Sequence, residues 1–523
     1  MSENRETGSE PSVDIRPMDM DAQACYRAIS TRDARFDGRL FVGVKTTGIY
    51  CRPICPARTP RPENVLFFAT AAAAQVAGFR PCLRCRPEIS PQLAFWRGTS
   101  NTVSRALALI EAGGLDEAGV EGLASRLGIG GRQLRRLFDQ HLGASPLAVA
   151  QTRRVLLAKQ LIHDTQLSMA EVAHAAGFGS IRRFNETFQR LFGRPPLSLR
   201  RKAQQGEAVA APLSMTLGYH PPYDFDAMLA YLAAHAVPGV EEVSAGRYAR
   251  SISIGDAHGM LTVELESRDR LKVGIAFPRL SSLATIMTRV RRVFDLAADP
   301  AVIGAHLSQD PLLAPLIAAR PGLRVPGGFD GFELAVRAIL AEETGARAAA
   351  ELAGLLVRAH GAALPSDLAK FFPTITHVFP TPERLASADL EVLGLPQKAA
   401  LAISSMAAAV VAEPNIFGPA SGLEDAIAKL GALPGIGERT AHHVAMRELR
   451  EPDAFPASDI GLTRALAGLA GGRVSPAGLA ARAESWRPWR AYAALHLWAL
   501  DALPARSFAP QPSSHKVHAR KAA

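Results

Sequence analysis

Four cysteines near the N-terminus constrain this chain more than any other feature. Cys51 and Cys55 are spaced C-x3-C, Cys82 and Cys85 C-x2-C, and 26 residues separate the pairs. Two close thiol pairs joined by a longer loop suit a tetrahedral Zn²⁺: each pair spans one edge and the loop brings the second edge round. Two disulfides or reduced core cysteines are the alternatives. The polar, charged start gives no sign of secretion, which speaks against disulfides. Core cysteines would not fall in two tight pairs flanked by Arg52, Arg58, Arg80, Arg84 and Arg86. A zinc-bound cysteine is held as thiolate, so it is both ligand and latent nucleophile. The arginines attract a phosphate backbone toward it. The residues alone describe a zinc module that touches DNA.

A length of 523 residues suggests three or four domains. Lys and Arg outnumber Asp and Glu by 59 to 49, a net charge of +10 that modestly favours an anionic partner. All five cysteines lie in the first 85 residues, so the remainder offers neither a thiolate metal site nor a catalytic cysteine. Cys25 has no partner at ligand spacing and reads as a small buried apolar residue. No stretch approaches the roughly 20 apolar residues a bilayer span needs, so the expected location is the reducing cytoplasm, with no membrane partner.

Residues 1–17 are polar and read as disordered, and residues 18–91 hold the zinc module, with a short strand at 40–44 and a helix at 71–77. A hinge is expected at 95–98. Residues 102–202 read as helices with an internal echo, VEGLASRLGIGGRQLRRLFDQHLGASP and MAEVAHAAGFGSIRRFNETFQRLFGRPPLSLRR. Each copy has a bracing helix, a turn at Gly128 or Gly177 and a basic helix, the plan of a helix-turn-helix. Arg132, Gln133, Arg135 and Arg136 fall on the first basic helix, and Ser180, Arg182, Arg183 and Asn185 on the second. About half should touch DNA, mostly at phosphates. Residues 203–212 form a linker. Alternating strands at 251–254, 261–265 and 271–275, with helices at 227–236 and 283–294, make 213–296 a small α+β domain. Residues 297–503 read as helical and 504–523 as a polar tail.

The second chemical signal is LPGIGERTAHHV, residues 433–444. Its glycines, Gly435 and Gly437, let backbone N–H groups approach a phosphate closely, though the same string also suits an ordinary turn between helices. Asp459 follows 22 residues after Gly437. It is either the N-cap of the helix that begins at Ile460, or a carboxylate that stabilises positive charge on a deoxyribose and activates water.

Three resemblances bear on these choices. Residues 41–88, with the run KTTGIYCRP, resemble the N-terminal domain of the Ada adaptive-response regulator. That implies one Zn²⁺ on Cys51, Cys55, Cys82 and Cys85. It also implies irreversible transfer of a methyl group from a DNA methylphosphotriester to Cys51, with Thr47, Arg58, Arg80 and Arg84 facing DNA. Four thiolates on Zn²⁺ carry a formal charge of about −2, and alkylating one leaves about −1, which weakens repulsion from phosphates and can act as a switch. Residues 102–202 resemble the DNA-binding domain of AraC-type activators, which implies promoter DNA and RNA polymerase as partners. Residues 215–502 are similar to AlkA-type 3-methyladenine DNA glycosylase II of the helix-hairpin-helix superfamily, through YHPPYDFDAMLAYLAA, ARPGLRVPGGFDGFELAVRAIL, LPGIGERTA and SWRPWRAYAALHLW.

That similarity implies Asp459 as catalytic residue, a monovalent cation on hairpin carbonyls, no organic cofactor, and a flipped base beside Trp489. Lyase members carry a lysine where Arg439 stands, and arginine forms no Schiff base, so a monofunctional enzyme is expected. The sequence departs from the pattern where Gly-Gln and a wedging residue are usual and Ala341-Glu342-Glu343 stands. It also departs at the pocket positions Arg439, His443 and Ile460. Glu342 becomes a candidate partner for a cationic base, or a residue of a solvated helix face. The whole is expected to be multidomain and mostly α: a small α/β zinc module, an all-α tandem helix-turn-helix, an α+β AlkA N-terminal-like domain and an all-α helix-hairpin-helix domain. The leading expectation is a fused alkylation-response regulator and repair enzyme. The alternatives are a regulator whose glycosylase-like part is a non-catalytic DNA clamp, and a zinc-stabilised DNA-binding protein without methyl transfer.

Overall fold

A computed structural model describes residues 21–91, 101–111, 113–200, 212–414, 416–418 and 422–501. The expected N-terminal disorder, the hinge, the linker apart from Pro212, and the C-terminal tail lie outside those residues.

The N-terminal module is a four-stranded sheet in the order Val65–Phe68, Phe41–Val44, Ile49–Cys51, Arg80–Pro81. The first three strands are antiparallel. The last joins in parallel, with Tyr50 opposite Pro81. That parallel joint assembles the cysteines, because Cys51 ends one strand and Cys82 follows directly on its neighbour. Cys25 is 1% exposed in the apolar cluster beneath, as expected of a small core residue.

Helices Gly131–Leu142 and Ile181–Phe192 each follow a glycine in the left-handed region, Gly128 (φ 71°) and Gly177 (φ 78°). Their apolar stripes recur every four residues: Leu134, Phe138 and Leu142 on the first, Phe184, Phe188 and Phe192 on the second. Burying those stripes turns the basic residues outward. The long helix Pro146–Asp164 runs between the two copies.

A five-stranded antiparallel sheet follows, in the order Leu213–Gly218, Arg270–Ala276, Ala257–Ser267, Arg247–Ile254, Glu241–Ser244. The three expected strands are the inner ones, and neither edge strand is among them. Glu241–Ser244 is short and polar, and Leu213–Gly218 does alternate, burying Met215 and Leu217, but directly adjoins the linker. From Pro300 onward the described chain is helical, packed on one large apolar cluster. No helix among the described residues is long and apolar enough to cross a membrane.

The packing crosses the expected linker. Phe184 and Phe188 of the second helix-turn-helix share one apolar cluster with Leu217 and Val263 of the sheet, and Gln160 Nε2 donates to the Thr216 carbonyl at 2.7 Å. The zinc module is tied to the long helix by charge. Lys159 Nζ lies 2.5 Å from Glu88 Oε2, both side chains fully buried, and Arg86 pairs with Asp164 at 2.7 Å. Burial pushes the Glu88 carboxyl up, but Lys159 and Arg86 outweigh it and hold the carboxyl below its usual range. Removing one partner strands the other charge in the interior. Lys159→Ala is therefore expected to cost about 3–5 kcal/mol, read as a lower urea midpoint. The double replacement Lys159→Met with Glu88→Leu should unfold at a higher urea concentration than the single one.

Candidate methyl-acceptor centre and base pocket

The four cysteine sulfurs lie within 4.8 Å of one another. At a Zn–S distance of about 2.3 Å the edge of a tetrahedron is about 3.8 Å, so the cage fits Zn²⁺. Hydrogen bonding inside the cluster, first with Cys55, drives the Cys51 thiol up, while the bond with Cys51 draws Cys55 down to about 7. Four such groups ionise together only around a cation. Their surroundings differ. Cys85 accepts the Arg52 N–H at 3.4 Å and Cys82 the Arg84 N–H at 3.3 Å. Among the described residues Cys51 accepts no backbone N–H.

Cys51 opens on a cleft of about 930 Å³ lined by Thr47, Arg58, Arg80 and Arg84. Two of the arginines flanking the cysteines are used otherwise. Arg52 is 3% exposed and holds Asp37 and the Cys85 carbonyl, and Arg86 is spent on Glu88 and Asp164. The far wall adds Phe192 and Arg194 from the end of the second basic helix. No spacing in the sequence links those two to the cysteines; the meeting is made by tertiary packing.

On the helix-turn-helix copies, Arg132, Gln133, Arg135, Arg136, Arg182, Arg183 and Asn185 are all exposed. Ser180 stands just before its helix and caps it, accepting the Arg183 N–H at 3.1 Å. Arg135 and Arg182 already hold Glu121 and Glu186, each at 2.8 Å.

Both readings of Asp459 coexist in one side chain. Its Oδ1 caps helix Ile460–Ala470 through the Leu462 N–H at 3.1 Å and takes the Trp498 indole N–H at 3.0 Å. Its Oδ2 faces the Arg439 guanidinium at 3.8 Å. The indole beside the carboxylate is thus that of Trp498, which also stacks on His443 with ring centroids 5.1 Å apart. Trp489 is 6% exposed and lies edge-to-face on Tyr492. The two tryptophans share one sequence run, and only the packing of helix Arg490–Asp501 decides which of them meets the carboxylate. Ile460 is 74% exposed beside the carboxylate.

The hairpin joins helices Leu423–Gly431 and Glu438–Arg447. Gly435 has φ 76°, and a Cβ there would lie 2.0 Å from Ala402 Cβ, so packing on helix Gln397–Ala412 itself demands glycine. Gly437 is exposed at the N-terminus of the second helix. Glu342 accepts from Thr440 at the same end, while Glu343 pairs with Lys398 at 2.6 Å. A cavity of about 330 Å³ between the sheet and this helix is lined by Glu342, Arg439 and His443. Trp489 does not line it.

Desolvation draws His443 down to about 4, and likewise His235 and His496. All three are neutral near pH 7. The folded chain binds fewer protons than the unfolded one below the usual histidine value of about 6.5. Their contribution to stability is therefore complete above that pH and is lost as pH falls toward 4, at roughly 1 kcal/mol per pH unit for each histidine. Urea midpoints across that window should fall, and less steeply in His496→Asn.

Sequence comparisons cover the same ground. The profile for the metal binding domain of Ada matches residues 24–88, a helix-turn-helix domain matches 123–202, and the AlkA N-terminal domain matches 214–330. A Mycobacterium tuberculosis protein described as a probable bifunctional transcriptional activator/DNA repair enzyme AlkA is 41% identical over 495 residues, 94% of this chain and 99% of that one. The Escherichia coli DNA-3-methyladenine glycosylase 2 is 36% identical over 287 residues, 54% of this chain and 96% of its own length. The Escherichia coli enzyme Ada is 36% identical over 129 residues, 25% of this chain and 35% of its own. Zinc module, tandem helix-turn-helix and glycosylase-like domain define a DNA-repair regulator. The chain belongs to the family of bifunctional transcriptional activator/DNA repair enzymes AlkA.

Proposed function

We propose that this protein senses and repairs DNA alkylation with two reactive centres. At the first, the Cys51 thiolate attacks the methyl carbon of a methylphosphotriester. The S–C bond forms, the C–O bond breaks, and the phosphodiester leaves as an anion. Zn²⁺ held by Cys51, Cys55, Cys82 and Cys85 supplies the charge that keeps four sulfurs ionised together. The thioether is not reversed, so each chain acts once. Thr47, Arg58, Arg80, Arg84 and Arg194 hold the backbone on either side. The lowered charge at the centre then favours duplex binding by Arg132, Gln133, Arg136, Arg183 and Asn185, with RNA polymerase as the downstream partner.

At the second centre the N-glycosidic bond of an alkylated base breaks and its electron pair leaves with the base. Asp459 Oδ2 stabilises the positive sugar and takes the proton of the water that adds to C1′. Gly435 and Gly437 bring hairpin N–H groups to a phosphate, and a monovalent cation there would be held by hairpin carbonyls and would add positive charge beside that phosphate. Arg439 has no amine for a Schiff base, so the product is an abasic site. The observation that carries this half is the half-engaged carboxylate: Oδ1 is fixed by two donors, while Oδ2 faces only a cationic side chain at 3.8 Å. One specific feature favours the clamp instead: Glu342 at the hairpin and Glu343 with Lys398 put carboxylates where a wedge into DNA would stand. Excision from duplexes carrying defined alkylated bases decides between them. Release of free base with an intact abasic strand is expected; no release from any of them would leave the clamp.

A further inference from the structure

Asp459 has one oxygen left for chemistry, and in this structure that oxygen is covered. Oδ1 holds the Leu462 N–H at 3.1 Å and the Trp498 indole N–H at 3.0 Å, while Oδ2 lies 3.8 Å from the Arg439 guanidinium. Among the described residues this is the one ion pair that Arg439 makes. The Asp459 side chain is 12% exposed and that of Arg439 35%, so the cation is the partner that reaches solvent.

The pair opposes the reaction proposed for the carboxylate. A sugar that loses its base gains positive charge, and a bare Oδ2 stabilises that charge. A guanidinium on the same oxygen repels the sugar and fills the place where it must stand. The contact therefore belongs to the resting protein. It is also weak, because a long ion pair with one partner partly in water is screened.

DNA brings a stronger acceptor to the same arginine. Arg439 is the second residue of helix Glu438–Arg447, and its side chain leans back toward the helix start as helical side chains do. The N-cap there, Gly437, is exposed, and the free N–H groups of a helix start favour a phosphate. One carboxylate already stands at that end. Glu342 accepts from the Thr440 hydroxyl, and its Oε1 lies 3.2 Å from where a Cβ on Gly437 would be. Its charge repels a phosphate, so a phosphate bound there needs a cation beside it. Lys398 is taken by Glu343, and burial draws His443, one turn along from Arg439, down to about 4 and keeps it neutral. Arg439 is left to supply the charge, and its guanidinium suits phosphate through two parallel N–H bonds. We propose that Arg439 is a positioning residue that works as a latch. It covers Asp459 Oδ2 in the free protein and moves to a backbone phosphate beside the flipped nucleotide, so the carboxylate is bared only on DNA. This rests on the glycosylase reading above.

The test follows excision of 3-methyladenine by the full chain under single-turnover conditions. Each linkage flanking the lesion is replaced in turn by a neutral methylphosphonate, whose methyl is bonded to phosphorus and is no donor for Cys51. In the wild-type chain one such replacement should slow excision about 10-fold or more, the weight of a hydrogen bond between charged groups. In Arg439→Met the same replacement should change the rate less than about threefold, whatever the absolute rate. Equal slowing in both proteins, or no sensitive linkage in the wild type, overturns the proposal. Arg439→Gln is also uncharged; it should match Arg439→Met, and carries the test if Arg439→Met does not fold. A second readout needs no catalysis. Binding to an abasic duplex, measured in excess undamaged duplex, should weaken with the neutral linkage in the wild type and not in Arg439→Met. If no duplex is cleaved, the glycosylase reading fails by itself and this binding difference still decides the role of Arg439: its absence overturns the proposal.

Discussion

Cys51→Ser is expected to abolish methyl uptake from DNA. A serine hydroxyl ionises far less readily than a thiol and is a poor soft ligand, so both ligand and nucleophile are lost at that position. Cys55, Cys82 and Cys85 still line three corners of the cage, so the variant should retain metal weakly and fold. Cys55→Ser should weaken metal binding as well but leave Cys51 free to be alkylated whenever metal is present. Mass spectrometry of the Cys51 and Cys55 peptides after incubation with methylated duplex separates the two. Residual methylation in Cys51→Ser would place the acceptor elsewhere.

Asp459→Asn is expected to lower base excision by about 10²- to 10⁴-fold, the range of a lost acid–base group. The choice of Asn matters because the side chain also caps a helix. Asn caps as well as Asp, so the Leu462 contact survives and stability should stay near wild type. Asp459→Ala would add about 1 kcal/mol of lost capping and confuse the two roles. Wild-type excision in Asp459→Asn would remove the carboxylate from the mechanism. The Trp498 indole fixes Oδ1, so Trp498→Phe should produce a smaller loss of the same kind.

What the sequence made legible was local. Cysteine spacing, a glycine before each basic helix and the run of a hairpin are short-range patterns whose physics needs few neighbours. The cage of four sulfurs, the outward basic faces and the N-cap at Asp459 therefore followed from residues close in the chain. Features set by distant packing did not. Trp489 and Trp498 are equally aromatic in the sequence, and the orientation of one helix chose between them. Arg52 and Arg86 have the same local setting as Arg58 and Arg84, but buried acids at Asp37, Glu88 and Asp164 claimed them. Arg194 and Phe192 reach the acceptor cleft only because the second helix-turn-helix packs against the zinc module and the sheet.

The central claim is that one metal-held sulfur links damage to DNA binding. The most direct measurement is the affinity of the full chain for duplex DNA before and after reaction with a methylphosphotriester duplex, with intact mass taken on the same samples. One methyl group per chain on Cys51, tighter binding after it, and loss of both on zinc chelation are the expected results. Methyl uptake that survives chelation, or equal affinity of the methylated and unmethylated chains, would contradict the account.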